Sequence, residues 1–318
     1  MMRSILLMYI HHRPGREHIR RLQEIAPGFR IEVADSEDKA VKVAPDAEVI
    51  VGQRYLRQSL PHAPGLKFVQ SSSGGVDQLP WQDLKSRGIL LARSDFPSKV
   101  IAQHAFMLAW ALIRRLPDCL ESQRRKEWDP AIEEKLLPWP KTALVLGLGS
   151  IGQMLTGLLK AAGITVWGVN TRGARCDQCD RVLDQHSWRE CIPETDILFL
   201  TCPLNDATRN LIDKDVLENL PKQAVVINVA RQGIMDTAAL REQLGSGRLG
   251  GAALDVFEQR PVPPDDPLWQ TPNLIITPYL AARYHERAKE FERFAEDQVK
   301  RYVARLPLIN LVDWGKIQ

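Results

Sequence analysis

The chain has 318 residues, 44% hydrophobic and 25% charged, the profile of a soluble globular protein with two ordinary domains. A formal net charge of +3 makes no case for nucleic acid or a membrane surface, and no apolar run is long enough to span a bilayer. Five cysteines, an odd number without framework spacing, point to a reducing cytoplasm rather than a disulfide-built secreted fold.

The first predicted element is the apolar run ILLMYI, behind one early arginine. No small-residue cleavage site follows it, so it reads as a β-strand and not as a signal peptide. RIEVA, AEVIVG, LKFVQS and ILLARS are four further short strands, and stretches such as REHIRRLQEIA between them carry helical periodicity. This alternation predicts a parallel α/β sheet. SKVIAQHAFMLAWALIRRLPDCLESQRRKEW then reads as one long, mostly apolar helix for a core, interdomain or dimer contact. A second alternation follows in TALVLGLG, ITVWGVN, DILFLTC, AVVINVA, LGGAALDVF and NLIITPY, six strands in all. The last helix is predicted over AARYHERAKEFERFAEDQVKRYVARL, ahead of the tail PLINLVDWGKIQ. A boundary near residues 95–100, with the last helix returning to the first half, assigns 1–97 plus 286–318 to one domain and 98–285 to the other.

LVLGLGSIGQ places Gly147, Gly149 and Gly152 in G-x-G-x-x-G, with Ser150 and Ile151 opening the helix that follows. Alone the motif is weak; between a strand and a helix, with a second strand after it, it predicts a dinucleotide site. The glycines allow a tight turn and close approach of a pyrophosphate, and the helix start offers free N–H groups. The second strand ends in Asn170, Thr171 and Arg172, with no carboxylate for a ribose 2′-OH. Arg172 suits a 2′-phosphate, so NADPH is expected in preference to NADH; otherwise Arg172 is a solvated loop charge. Cys176 and Cys179 form a CxxC in RCDQCD. A zinc or redox role is the alternative, but no second CxxC exists to complete a four-ligand zinc site, so they read as surface-loop cysteines, and no metal is expected.

GLGSIGQ, TCPLNDATRNLI, VVINVARQGIMDTAAL, GGAALDVF and DDPLW together resemble the D-isomer-specific 2-hydroxyacid dehydrogenases. The likeness runs from LKFVQSSSGGVD to INLVD and is greatest to the glyoxylate/hydroxypyruvate reductase branch, which tends to use NADPH. It implies two Rossmann-like domains, one flavodoxin-like and one dinucleotide-binding, with the active site in the cleft and commonly a homodimer. It further implies that Arg231, in the INVAR block, binds the substrate carboxylate and polarises the carbonyl. A planar guanidinium fork suits both tasks. Ser73, Gly74, Gly75 and Val76 match the turn whose N–H groups hold the same carboxylate. Pro203, Ala230 and Asp255 fall at cofactor positions.

Two positions depart from the family pattern. Arg260 stands where the family has glutamate before a proline, and Tyr279 stands where it has the proton-donating histidine of TPH. Glu258 is two residues out of register, and His285 falls inside the predicted last helix. An arginine opposes an imidazolium but favours a phenolate, so Tyr279 with Arg260 is a coherent replacement for the dyad. The expected activity is NADPH-dependent reduction of a small 2-keto acid. The alternatives are a silenced, cofactor-binding relative that serves as a sensor or partner-binding protein, and a relative whose two arginines take a more highly charged anion.

Overall fold

Every residue of Ser4–Met8 (β1) is buried, as a strand covered on both faces requires. It pairs with Arg30–Val33 (β2) and Ala47–Gly52 (β3), which is followed across the sheet by Phe68–Gln70 (β4) and Leu90–Ala92 (β5). The sheet is all parallel, in the order β2-β1-β3-β4-β5, the flavodoxin-like arrangement. Arg16–Ile25 (α1), Glu37–Val43 (α2), Leu56–Ser59 (α3) and Trp81–Ser86 (α4) make the crossovers. All five expected strands are present.

A second parallel sheet follows, made of Thr142–Leu146 (β6), Thr165–Val169 (β7), Arg181–Leu183 (β8), Ile197–Leu200 (β9), Val225–Asn228 (β10), Gly251–Leu254 (β11) and Leu274–Ile276 (β12). Its order is β12-β11-β10-β9-β6-β7-β8, so the strand order reverses between β6 and β9. Alternate residues serve two cores: Leu144, Leu146, Leu198 and Leu200 face one, Ala143, Val145, Ile197 and Phe199 the other. Each large apolar side chain buried in this way contributes about 1.5–3 kcal/mol. The sheet has seven strands where six were expected. The missed β8 is only three residues long, pairs with β7 alone and shows no alternation to read.

The expected long helix is two helices, Ser98–Ile113 (α5) and Leu116–Arg125 (α6). Pro117 explains the break: it lacks an N–H, and its ring would collide with the carbonyl four residues back, at Ile113. The chain turns there through Arg115, at φ 52°. Ser150–Ala161 (α7), Lys214–Asn219 (α8) and Thr237–Gly245 (α9) complete the set around this sheet.

The last helix, Arg287–Val303 (α10), packs Phe291, Ala295 and Val299 against Ile5, Leu7 and Phe68 of the first sheet. It begins six residues later than expected, because Leu280 and Ala281 donate their N–H groups to the Asp255 carboxylate instead of starting a helix. His285 therefore lies in an exposed turn and not within a helix. The chain divides into two compact units, Met1–Pro97 with Tyr284–Gln318, and Ser98–Arg283, in a computed structural model that describes residues 3–315. The ends of the first-domain assignment, residues 1–2 and 316–318, lie outside the described residues. No helix among the described residues is long and apolar enough to cross a membrane.

Candidate active site

The loop between β6 and α7 sits where the strand order reverses, the usual ligand crevice of an open α/β sheet. Gly147 has φ 110°, and a Cβ there would lie 2.6 Å from the Cys202 nitrogen at the end of β9. A Cβ on Gly152 would lie 2.0 Å from the Gly147 carbonyl oxygen. Both glycines are thus demanded by the close approach of backbone to backbone. Gly149 differs: a Cβ there would meet no protein atom within 4 Å. Protein packing does not require that glycine, whereas a pyrophosphate lying against the loop would. Gly149 is also the N-cap of α7 and supplies no side-chain acceptor, unlike Asp236, which caps α9 through the Ala239 N–H. The first-turn N–H groups of α7, from Ser150 and Ile151 onward, are those a phosphate would use. The loop fits a dinucleotide.

At the end of β7, Thr171 and Arg172 are exposed. Asn170 is turned inward: its Oδ1 accepts from the N–H groups of Arg172 (3.1 Å) and Ala174 (2.9 Å), and its Nδ2 donates to the Ala174 carbonyl (2.7 Å). The side chain shapes the loop rather than presenting itself to a ribose. Asp184 lies opposite Arg172 in an isolated bridge. Its carboxylate accepts from the His186 and Ser187 N–H groups and the Ser187 hydroxyl, which also hold it below the usual carboxylate range.

The ends of β10, β11 and β12 carry the remaining residues of this unit. Arg231 follows β10 and is half-buried. Its carbonyl accepts from Asn228 Nδ2 (3.0 Å), and its Nη1 donates to the carbonyl of buried Ala230 (2.8 Å). Pro203, exposed after β9, accepts the Thr208 hydroxyl through its carbonyl at 2.7 Å. Asp255, 3% exposed, is a hub: it accepts from the Thr277 hydroxyl (2.7 Å) and from the N–H groups of Leu280 (2.8 Å) and Ala281 (3.1 Å). Its acceptors tie down the segment that holds Tyr279.

His104, on α5, joins this hub and has no part in the sequence expectations. Its Nε2 lies 3.1 Å from Thr277 Oγ1 and 3.7 Å from Asp255 Oδ1. The Thr277 hydrogen goes to Asp255, so Nε2 carries the hydrogen in this contact. Burial lowers the His104 pKa and the Asp255 charge partly offsets that, consistent with a neutral ring. Nothing but helix phase along α5 marks this residue in the sequence.

Tyr279 departs from the expected arrangement. Its hydroxyl donates to the Phe257 carbonyl (2.7 Å) and accepts from the Phe257 N–H (2.9 Å), because the turn after β12 folds the ring back over that after β11. Tyr279 sits at φ 56°, a left-handed conformation uncommon for a bulky residue and held here by the latch. Arg260 is exposed and places its guanidinium carbon 3.2 Å from the Tyr279 ring centroid, over the face rather than beside the hydroxyl. Such cation–π contacts are worth about 0.5–1 kcal/mol at exposed sites. Glu258 is exposed and has no contact with Tyr279 among those described.

In the other unit, Ser73, Gly74, Gly75 and Val76 follow β4 at its C-terminal end. Gln53 pins the turn, donating from Nε2 to Ser73 Oγ (2.7 Å) and accepting from the Ser72 N–H (2.8 Å). Among the described residues no protein acceptor takes the N–H groups of Gly74, Gly75 or Val76. A row of free backbone donors of this kind suits a carboxylate.

Residues 106–281 match the NAD-binding domain of the D-isomer specific 2-hydroxyacid dehydrogenases. D-3-phosphoglycerate dehydrogenase of Methanocaldococcus jannaschii is 30% identical over 309 residues, 94% of this chain and 58% of that protein. Glyoxylate reductase of Korarchaeum cryptofilum is 27% identical over 243 residues, 74% of this chain and 73% of that protein. The crystal structure of a D-isomer specific 2-hydroxyacid dehydrogenase from Xanthobacter autotrophicus Py2, in complex with NADPH and MES, has a TM-score of 0.82 at 26% identity and covers 98% of each chain. The chain spans only 53–58% of the length of the D-3-phosphoglycerate dehydrogenases it matches first.

Proposed function

The chain belongs to the D-isomer specific 2-hydroxyacid dehydrogenase family, and we propose that it uses NADPH to reduce a small 2-keto acid, of glyoxylate or hydroxypyruvate type, to the D-2-hydroxy acid. One observation carries the reading: the bare Gly149 cradle at the start of α7, which protein packing alone does not require. When bound, the dinucleotide supplies the hydride. Arg231 pairs with the substrate carboxylate and polarises the carbonyl, and in the other unit the N–H groups of Gly74 to Val76 are donors suited to a carboxylate.

The proton comes from Tyr279. Its hydroxyl must first leave the Phe257 carbonyl, a neutral hydrogen bond worth about 1 kcal/mol net. A hydrogen bond to the developing alkoxide is charge-assisted and worth about 1.5–3 kcal/mol, so the exchange of acceptors is favourable. Arg260 stays over the ring and holds it through the cation–π contact. The resemblance and the free cysteines further support a homodimer in a reducing cytoplasm.

NADPH is preferred because β7 is followed by Asn170, Thr171 and Arg172, without the carboxylate that would accept from a ribose 2′-OH, and Arg172 is exposed to meet a 2′-phosphate. Arg172→Ala is expected to weaken NADPH binding roughly tenfold or more, the worth of one charge-assisted contact, and to leave NADH nearly unchanged. Titration of both cofactors with both proteins checks this; equal weakening, or a wild-type preference for NADH, removes Arg172 from cofactor selection.

A second reading rests on Arg260, an exposed cation where the family has an acid. With Arg231 it suits a more highly charged keto acid, in keeping with the D-3-phosphoglycerate dehydrogenases among the relatives. A third follows from the latch on Tyr279: a chain that binds cofactor without turnover, as a sensor or partner-binding protein. Cofactor oxidation with glyoxylate, hydroxypyruvate and phosphorylated keto acids separates them. The proposal expects turnover with the first two; turnover only with the phosphorylated acids favours the second reading, and NADPH binding with no consumption favours the third.

A further inference from the structure

The CxxC pair lies in the loop between β7 and β8, two residues beyond the Asn170–Ala174 turn. Cys179 donates its N–H to the Cys176 carbonyl at 3.0 Å, closing a β-turn. The first and last Cα atoms of a β-turn are less than about 7 Å apart, and disulfides span roughly 4.4–6.8 Å between Cα atoms. Both cysteines are half-buried. A metal does not explain them: among the described residues no three potential ligands cluster.

Cys179 and the cofactor loop share one support. A Cβ on Gly168 of β7 would lie 2.8 Å from Cys179 Sγ and 2.7 Å from the Leu148 methyl carbons. Gly168 is therefore the floor on which Cys179 and Leu148 both rest, and Leu148 lies between Gly147 and Gly149. Two residues after Cys176, Gln178 accepts the Thr156 hydroxyl of α7 at 3.1 Å. The turn is thus linked to the loop through Gly168 and to α7 through Gln178.

We propose that Cys176 and Cys179 form an oxidisable dithiol, closed into an intrachain disulfide by exchange with a small-molecule disulfide, and that closure weakens dinucleotide binding by drawing Cys179 off the Gly168 floor beside Leu148. Cys176 attacks first, because burial and its neighbour Cys176 push the Cys179 thiol up to about 12. The Cys176 thiolate attacks one sulfur of RSSR, breaking that S–S bond and releasing RS⁻. Cys179 then gives up its proton to RS⁻, and its sulfur attacks Cys176, breaking the mixed disulfide and releasing the second thiolate, which takes up the proton that Cys176 lost to solvent on ionising. Two protein thiols and RSSR become one protein disulfide and two RSH; the cysteine pair loses two electrons and RSSR gains them.

The coupling rests on the dinucleotide reading of the loop, so bridge formation and cofactor affinity are measured separately. The full chain is equilibrated in buffers of varied oxidised and reduced glutathione, acid-quenched, alkylated and mapped by mass spectrometry. A peptide holding Cys176 and Cys179 should lose two hydrogens as the buffer becomes oxidising, and Cys176→Ser or Cys179→Ser should abolish this. Cys119, Cys191 and Cys202 serve as internal controls. NADPH affinity should fall about tenfold on oxidation, a typical coupling between sites, and should be redox-insensitive in Cys179→Ser. A stable glutathione adduct without a bridge, or no reaction at this pair, overturns the dithiol. A bridge with unchanged NADPH affinity overturns the coupling. If neither redox form binds NADPH, the dinucleotide reading fails, and with it the coupling, while the mass shift still decides the dithiol.

Discussion

Tyr279→Phe is expected to lower kcat by roughly 10²–10⁴-fold, the range for loss of a general acid, with NADPH affinity nearly unchanged. The structure adds a second effect. The hydroxyl also bonds both polar groups of the Phe257 peptide, so the substitution frees the turn after β11. Losing those two bonds costs about 1–3 kcal/mol of stability, which thermal unfolding reads independently of turnover. Arg260→Glu should also be harmful, since it removes the cation over the ring and sets a carboxylate against a phenolate. Arg260→Glu with Tyr279→His rebuilds the family dyad, and histidine tolerates the left-handed backbone at position 279 better than tyrosine does. The double variant should reduce glyoxylate or hydroxypyruvate faster than either single variant, a non-additivity expected of residues that act as a unit. If the wild type turns over and Tyr279→Phe keeps its full rate, the phenol is a latch and the proton comes from elsewhere. If the wild type is inactive on every keto acid and the double variant gains activity, the natural chain is a silenced relative.

Arg231→Lys should reduce kcat/KM by about a hundredfold or more, because a point charge cannot reproduce two parallel hydrogen bonds to a carboxylate. The fold should survive. At the β10 end the Asn228 side chain bonds the Arg231 carbonyl, and any residue at 231 keeps that bond. Steady-state kinetics beside thermal unfolding test both halves. A lysine variant with near-normal kcat/KM, or one that loses its rate only because it unfolds, takes Arg231 out of the proposed mechanism.

Eleven of the twelve strands and the cofactor loop were legible in the sequence, for a local reason. Buried parallel strands need continuous apolar runs, and the run LVLGLG followed by a helix needs its glycines wherever it folds. The family blocks likewise single out Arg231 as a candidate, and Arg260 and Tyr279 at the family's Glu and His positions are a fact of the sequence. Where those side chains point is not. The break between α5 and α6 depends on a clash between Pro117 and a carbonyl one turn back, which apolar periodicity hides. The late start of α10 depends on Asp255, some 25 residues away, capturing the N–H groups of Leu280 and Ala281. The same hub draws in His104 from α5, a contact across more than 150 residues. Arg260 lies over the Tyr279 ring instead of beside its hydroxyl because Phe257, three residues earlier, already holds that hydroxyl. Local composition determined the strands and the glycine loop, since each satisfies its own backbone. Which polar groups meet was decided only by tertiary folding, because hydrogen bonds between distant segments depend on sheet order and turn geometry that no single stretch encodes.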